Sequence, residues 1–80
     1  MQPEEVTSRK DLAQFLAELA EMIQEEPEGV DNSTLPSFLS GAAGWVRDMH
    51  GYFMNTGEKT PNEPTWALIA SIFSAATVYE

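Results

Sequence analysis

Apolar residues recur at intervals of three and four in three stretches of this chain, and each stretch predicts an α-helix. The first stripe consists of Leu12, Phe15, Leu16, Leu19 and Ile23. Ser8 suits the N-cap position ahead of this stripe, and Asp11 follows three residues later in the manner of a capping box. Because the residue before a proline is disfavoured in the α conformation, the helix is expected to end before Pro27. The first helix is therefore predicted at about 9–25.

The second stretch predicts a helix over about 34–50, with Thr34 or Ser33 as its N-cap. Gly41 and Gly44 lie inside it, and each costs about 1 kcal/mol relative to alanine in a helix. We expect this patch of small residues to let another helix approach closely. The apolar positions of the second helix are Leu35, Phe38, Leu39, Ala42, Trp45, Val46 and Met49.

The third stretch follows Thr65, which suits an N-cap, and predicts a helix over about 66–78. This helix is apolar on nearly all sides. One face carries Trp66, Ile69, Phe73 and Ala76, and another carries Leu68, Ile72, Ala75 and Tyr79. A helix of this kind is either central to a core or one half of an interface.

A long loop, 51–65, is predicted between the second and third helices, with Gly51 as the left-handed residue just past the helix end. Three large apolar residues open this loop, and side chains of three successive residues cannot all be buried on one face. At least one is therefore expected at the surface, where an ordered aromatic loop is suited to binding a partner. These residues are Tyr52, Phe53 and Met54.

The pattern predicts an all-α, three-helix fold in a single domain, 1–80, with residues 1–7 as a polar lead-in. A chain of 80 residues buries only a small core, so large side chains are needed to fill it. Both tryptophans are accordingly expected in the core. The full expected core is Leu12, Phe15, Leu16, Leu19, Phe38, Leu39, Trp45, Trp66, Ile69 and Phe73.

The net charge of −9 narrows the choice of partners. Phosphate binding needs clustered basic residues, and the four lysines and arginines are scattered along the chain. Nucleic acid and anionic membrane surfaces are therefore not expected as partners. The acid excess indicates a basic protein partner or simply keeps the protein in solution.

Compartment and processing signals are few. The chain contains no cysteine, which suits a reducing compartment, and its first ten residues lack the layout of a signal peptide. The longest apolar stretch, from Trp66 to Tyr79, is too short to span a bilayer. The sequence therefore predicts a cytoplasmic protein.

No residue pattern predicts catalysis, a cofactor or a metal. His50 lies near Asp48 and could act as a general base, but no motif places a nucleophile beside it. A histidine near a helix C-terminus is more often a favourable partner of the helix dipole. One histidine and no cysteine leave zinc unsupported, and no acidic loop has the spacing of a calcium site.

A protein–protein interaction module is the function that the sequence favours, with acidic residues steering a basic partner. The candidate partner-binding residues are Asp48, Tyr52, Phe53, Asn55, Gly57 and Trp66. The alternative is a homo-oligomeric structural protein in which the apolar C-terminal helix docks on its twin. An enzyme that uses His50 is a remote third possibility.

The chain also resembles an uncharacterised family of small acidic bacterial proteins, a domain of unknown function. The residues that carry the resemblance span almost the whole chain: Ser8-Arg9, Asp11, Phe15-Leu16, Asn32, Thr34-Leu35, Phe38-Leu39, Trp45, Asp48, Gly51-Tyr52-Phe53, Asn55, Gly57, Pro61, Pro64, Trp66, Ala75-Ala76 and Tyr79-Glu80. It departs from the family pattern at Val30, where tryptophan is common, and at Phe53, where a second tyrosine is common. The resemblance implies a compact bacterial protein without known catalysis. By size and charge it is also similar to toxin-neutralising immunity proteins.

Overall fold

Three α-helices joined by short turns make up the protein in a computed structural model, which describes residues 1–79. The helices are α1 (Arg9–Glu25), α2 (Leu35–Asn55) and α3 (Trp66–Ala76). Single turns of 3₁₀-helix cover Pro3–Glu5 and Pro27–Gly29. Within the described residues there is no β-strand, so the all-α, three-helix prediction is confirmed.

Each α-helix begins where its capping residue predicts. The Asp11 backbone N–H donates to Ser8 Oγ over 3.1 Å, and the Leu68 N–H donates to Thr65 Oγ1 over 3.0 Å. Thr34 caps α2 and exchanges reciprocal hydrogen bonds with Ser37. These bonds satisfy backbone donors that a helix N-terminus otherwise leaves free. The Asp11 carboxylate bonds back to Thr7 rather than to Ser8.

The predicted end of α2 is wrong, because the helix continues through Gly51 to Asn55. The left-handed residue is Gly57, with φ of 77°, and it ends the helix in a Schellman pattern. In this pattern the Glu58 N–H donates to the Phe53 carbonyl over 2.9 Å, and the Gly57 N–H donates to the Met54 carbonyl over 3.2 Å. The predicted loop 51–65 is therefore helical up to Asn55.

The central element of the fold is α3, which packs against α1, α2 and the Pro3–Glu5 turn. Of the two interpretations of its apolar surface, the structure supports a central position in the core. Val6 is fully buried at 0% exposure, although it lies in the predicted polar lead-in. The buried cluster consists of Val6, Phe15 and Ala70, flanked by Leu12, Leu16 and Leu19.

Gly41 and Gly44 bring α2 close to the end of α3, as predicted. A Cβ atom on Gly41 would lie 2.5 Å from the Ala76 carbonyl oxygen, and one on Gly44 would lie 3.1 Å from the Tyr79 ring. Both glycines are buried. The α2 backbone therefore approaches the Ala76 carbonyl closely because Gly41 carries no side chain, and Gly44 leaves room for the Tyr79 ring.

Asn32 holds the C-terminal end of α3. Its side-chain amide donates to the carbonyls of Ala76 and Tyr79 over 2.9 and 2.7 Å. Its backbone N–H donates to the Thr77 carbonyl over 2.8 Å. One residue thus provides a donor for the carbonyl of the last residue of α3 and for two carbonyls of the chain just after it.

Part of the predicted core is exposed. Leu39 is 57% exposed and Trp66 is 40% exposed, while Trp45 is half-buried. On α2 the side toward α3 carries Phe38, whose ring centroid lies 6.0 Å from that of Phe73, and the buried glycines, so the rest of its apolar stripe lies to one side of the contact. Leu35, at 71% exposure, belongs to this exposed stripe.

Within residues 1–79, no helix combines the length and the apolar character that crossing a bilayer requires.

Candidate functional site

Three aromatic side chains from the second half of α2 form one wall of a surface cleft. The ring centroids of Trp45 and Tyr52 lie 5.8 Å apart, and those of Tyr52 and Phe53 lie 5.1 Å apart in an edge-to-face arrangement. Trp45 and Tyr52 are seven residues apart, which is about two helical turns, so their rings lie on the same side of α2. Tyr52 remains 52% exposed.

The facing wall is built from the start of α3 and the segment that precedes it. Glu4 and Glu58 bring two carboxylates from distant parts of the chain to the same cleft, whose volume is about 420 Å³. The other lining residues on this side are Pro61, Thr65, Ala67, Leu68 and Ser71. The cleft therefore combines aromatic surface with acidic groups and small hydroxyls.

The segment between α2 and α3 is attached to α2 by side-chain hydrogen bonding. His50 Nδ1 lies 2.9 Å from Thr60 Oγ1, and the Schellman turn fixes the chain direction at Glu58. Thr65 then begins α3 through its cap. These contacts tie the segment to the ends of both helices.

Asp48 does not line the cleft, because its carboxylate is bonded within the protein. Tyr79 Oη donates to Asp48 Oδ2 over 2.5 Å, and Arg47 Nε donates to Asp48 Oδ1 over 3.1 Å. The hydrogen bonds from Arg47 and Tyr79 lower the pKa of the Asp48 carboxyl. The bond to Asp48 raises the pKa of the Tyr79 hydroxyl, because ionising it would lose the donated proton.

Of the six predicted partner-binding residues, the cleft brings together Tyr52 and Phe53. Asn55 and Gly57 are exposed at the end of α2, outside the cleft lining. Trp66 lies in a separate apolar depression with Pro64, Thr65 and Ile69.

Trp45, Glu4 and Glu58 were not predicted as cleft residues. The seven-residue spacing of Trp45 and Tyr52 would have predicted that their rings share one side of α2, provided that α2 extends past Gly51. No local pattern connects Glu4 with Glu58, since only the packing of Pro3–Glu5 on α3 brings them together.

His50 is exposed on α2, and its ring lies within hydrogen-bonding distance of the Thr60 hydroxyl. Among residues 1–79, no group of three histidine or acidic side chains is placed to hold a metal ion. An aromatic wall facing carboxylates can bind an apolar or cationic group without any reaction.

The chain belongs to a family of unknown function, DUF7660, whose family model matches residues 8–80. No curated protein and no solved structure shows significant similarity to it.

Proposed function

We propose that this chain is a non-catalytic protein–protein interaction module that acts in the bacterial cytoplasm. The proposed binding site is the cleft formed by Trp45, Tyr52 and Phe53 with the facing residues of α3. The partner supplies a basic protein segment. Inhibition of that partner, as immunity proteins neutralise toxins, is one form that such binding takes.

The observation that carries the proposal is the exposed aromatic wall. Large aromatic side chains dominate the binding energy of many interfaces, and a contiguous exposed apolar patch on a protein surface is often a functional site. Tyr52 is half exposed, yet it is held between Trp45 and Phe53 on a regular helix. A partner would therefore meet a largely preformed surface and lose little side-chain entropy on binding.

The charge of the molecule supports a basic partner. A net charge of −9 on 80 residues attracts cationic segments over several ångströms and raises their association rate at low salt. Many acidic side chains lie exposed on α1 and on the turn after it, including Glu21, Glu25 and Glu28. We expect binding to weaken as salt screens these charges.

The test is an affinity capture with matched variants on the last turns of α2. Tyr52→Ala removes cleft surface, whereas Met54→Ala removes a similarly exposed side chain that does not line the cleft. We expect a basic protein to be retained by wild type and by Met54→Ala and to be lost with Tyr52→Ala. Mapping the purified complex by cross-saturation NMR should then place the contact at Trp45 and Tyr52. Equal retention by both variants would refute the cleft as the site.

Self-association is a second candidate function, and the exposed stripe of α2 favours it. Leu35, Leu39 and Val46 are all exposed at helical spacing, and the chain from Asn32 to Val46 carries no charge. α3 packs against α1, α2 and the Pro3–Glu5 turn, and of its large apolar side chains Trp66 is the one that stays exposed, so we assign the contact with a twin to the stripe of α2. A two-fold dimer would pair this stripe with itself.

Sedimentation equilibrium distinguishes this candidate. We expect a dimer whose dissociation is promoted by Leu39→Glu and not by Glu21→Lys, which changes charge at an exposed position of α1. A strict monomer at high micromolar concentration would remove self-association from consideration.

A further inference from the structure

We infer that the cleft recognises a guanidinium group, presented by an arginine of the bound basic segment. The inference rests on the proposed function and specifies the chemical group that the cleft selects. It follows from the pairing of an aromatic wall with two carboxylates, Glu4 and Glu58, in one enclosure.

The aromatic wall suits a flat cation. The faces of tryptophan and tyrosine rings attract cations through their quadrupole, and arginine stacks on such rings more often than lysine does. Trp45 and Tyr52 stand 5.8 Å apart with their planes tilted by 53°, so the two rings form a corner rather than a flat surface. A planar guanidinium can lie against one ring while its edge points toward the facing wall.

The facing wall supplies the acceptors that this edge needs. Among the residues that line the cleft, the charged ones are Glu4 and Glu58, and both are acidic. A guanidinium carries five N–H donors in a fixed fork, which carboxylate oxygens accept well. The hydroxyls of Thr65 and Ser71 lie on the same wall as further acceptors, although Thr65 already accepts the Leu68 N–H.

Competing ligands fit the cleft less well. A phosphate or carboxylate would be repelled by Glu4 and Glu58. A purely apolar side chain would bury these carboxylates against a group that offers no hydrogen bond. The depression beside Trp66 and Ile69, which contains no acidic lining residue, is the better surface for such a side chain.

The test uses a short glycine- and serine-flanked peptide with one central arginine, capped at both ends. Its control is the same peptide with citrulline, a neutral isostere of arginine. Titration into the ¹⁵N-labelled full chain at low salt is followed at the indole resonances, with Trp45 expected to shift and Trp66 to stay. We expect the citrulline peptide to bind roughly five- to tenfold more weakly.

Matched variants assign the charge contribution. Glu58→Gln should weaken the arginine peptide by about two- to fivefold, whereas Glu63→Gln, which makes the same charge change outside the cleft lining, should leave the affinity unchanged. If Glu63→Gln weakens binding as much as Glu58→Gln, only the overall charge is read and the inference is wrong. Binding of the citrulline peptide equal to that of arginine, or no shift at millimolar peptide, would also overturn it.

This experiment separates the two proposals. Suppose that a partner is lost with Tyr52→Ala but binds equally well when its arginines are replaced by citrulline. The interaction module is then supported and the guanidinium site is refuted. If instead an arginine peptide shifts the Trp45 resonance while no partner depends on Tyr52, the guanidinium site is supported and the interaction module is refuted.

Discussion

Three glycines of the α2 region lie in different surroundings. Gly41 faces the end of α3, Gly51 has open space around its Cβ position, and Gly57 adopts a positive φ. The first needs glycine for close approach, the third needs it for its backbone conformation, and the second needs it for neither. A glycine in an exposed helix interior lowers the stability of the helix and makes no compensating contact.

We expect Gly51→Ala to raise the free energy of unfolding by about 1 kcal/mol, because alanine is the better helix former. Gly41→Ala should lower it by about 1–3 kcal/mol, because the new methyl group would overlap the Ala76 carbonyl and the Asn32 amide. Urea unfolding of both variants checks the pair. A loss of stability in Gly51→Ala would mean that α2 ends at that position after all.

Residue-level prediction from the sequence failed at Gly51 for a clear reason. Both Gly51 and Gly57 follow a helical pattern and either could end the helix. The cost of one internal glycine is about 1 kcal/mol, which the packing of Tyr52 against Trp45 and Phe53 can offset. The local sequence does not show whether this packing outweighs the cost of the glycine.

At the scale of the element, the C-terminal end of α3 depends on residues far away in the sequence. Asn32 donates to the carbonyl of Ala76 and to those of Thr77 and Tyr79 just beyond the helix, and the Tyr79 hydroxyl donates to Asp48 on α2. Helix starts were predictable because caps are local, whereas this end was not, because its partners lie more than 30 residues away.

We expect Asn32→Ala to lower the free energy of unfolding by about 1–3 kcal/mol, since partly buried carbonyls would lose their donor. Ser33→Ala is the control, because Ser33 is exposed and neighbours the clamp without bonding to it. Amide hydrogen exchange should locate the loss of protection at the last turn of α3. A uniform change along the chain would contradict a local clamp.

The Asp48–Tyr79 bond should make a pH-dependent contribution. The pKa of Asp48 is lowered in the folded protein, so its contribution is full above the unfolded value, about 3.9, and is lost as pH falls through the lowered pKa. The pKa of Tyr79 is raised, so its contribution is full below about 10 and is lost as pH rises through the raised pKa.

Thermal unfolding of wild type and Tyr79→Phe across this range measures the effect. We expect the difference in stability between them to be constant near neutral pH and to shrink at both extremes. A difference that does not depend on pH would refute a titrating contribution of the Asp48–Tyr79 bond, since Tyr79→Phe keeps the ring that packs on Gly44.

At the scale of the whole molecule, α3 connects the remaining elements. The fold class followed from the three apolar stripes, because α-helical periodicity is a strong signal. Which faces meet did not follow, since Phe38 and Leu39 of α2 were both expected inside, whereas Phe38 packs on Phe73 of α3 and Leu39 is exposed. The cleft was predictable only in its helical wall, as Glu4 joins Glu58 through tertiary packing.

Substitution of Val6 tests whether the N-terminal segment is packed against the rest of the molecule. We expect Val6→Ala to lower the free energy of unfolding by about 2 kcal/mol, because it opens a cavity against the buried cluster. Val78→Ala, at an exposed valine, should change it by less than about 0.5 kcal/mol. Denaturant unfolding of the two variants gives the comparison, and equal effects would argue against a packed N-terminal segment.

The central position of α3 also has a consequence for synthesis on the ribosome. α1 and α2 share few direct contacts, and each buries its inner face chiefly against α3, which follows both in the chain. While the first two helices emerge, their common packing partner has not yet been made. Their apolar faces therefore stay unpacked, in an unfolded or chaperone-bound nascent chain, until α3 is made. We expect the domain to fold in one cooperative step once α3 leaves the exit tunnel.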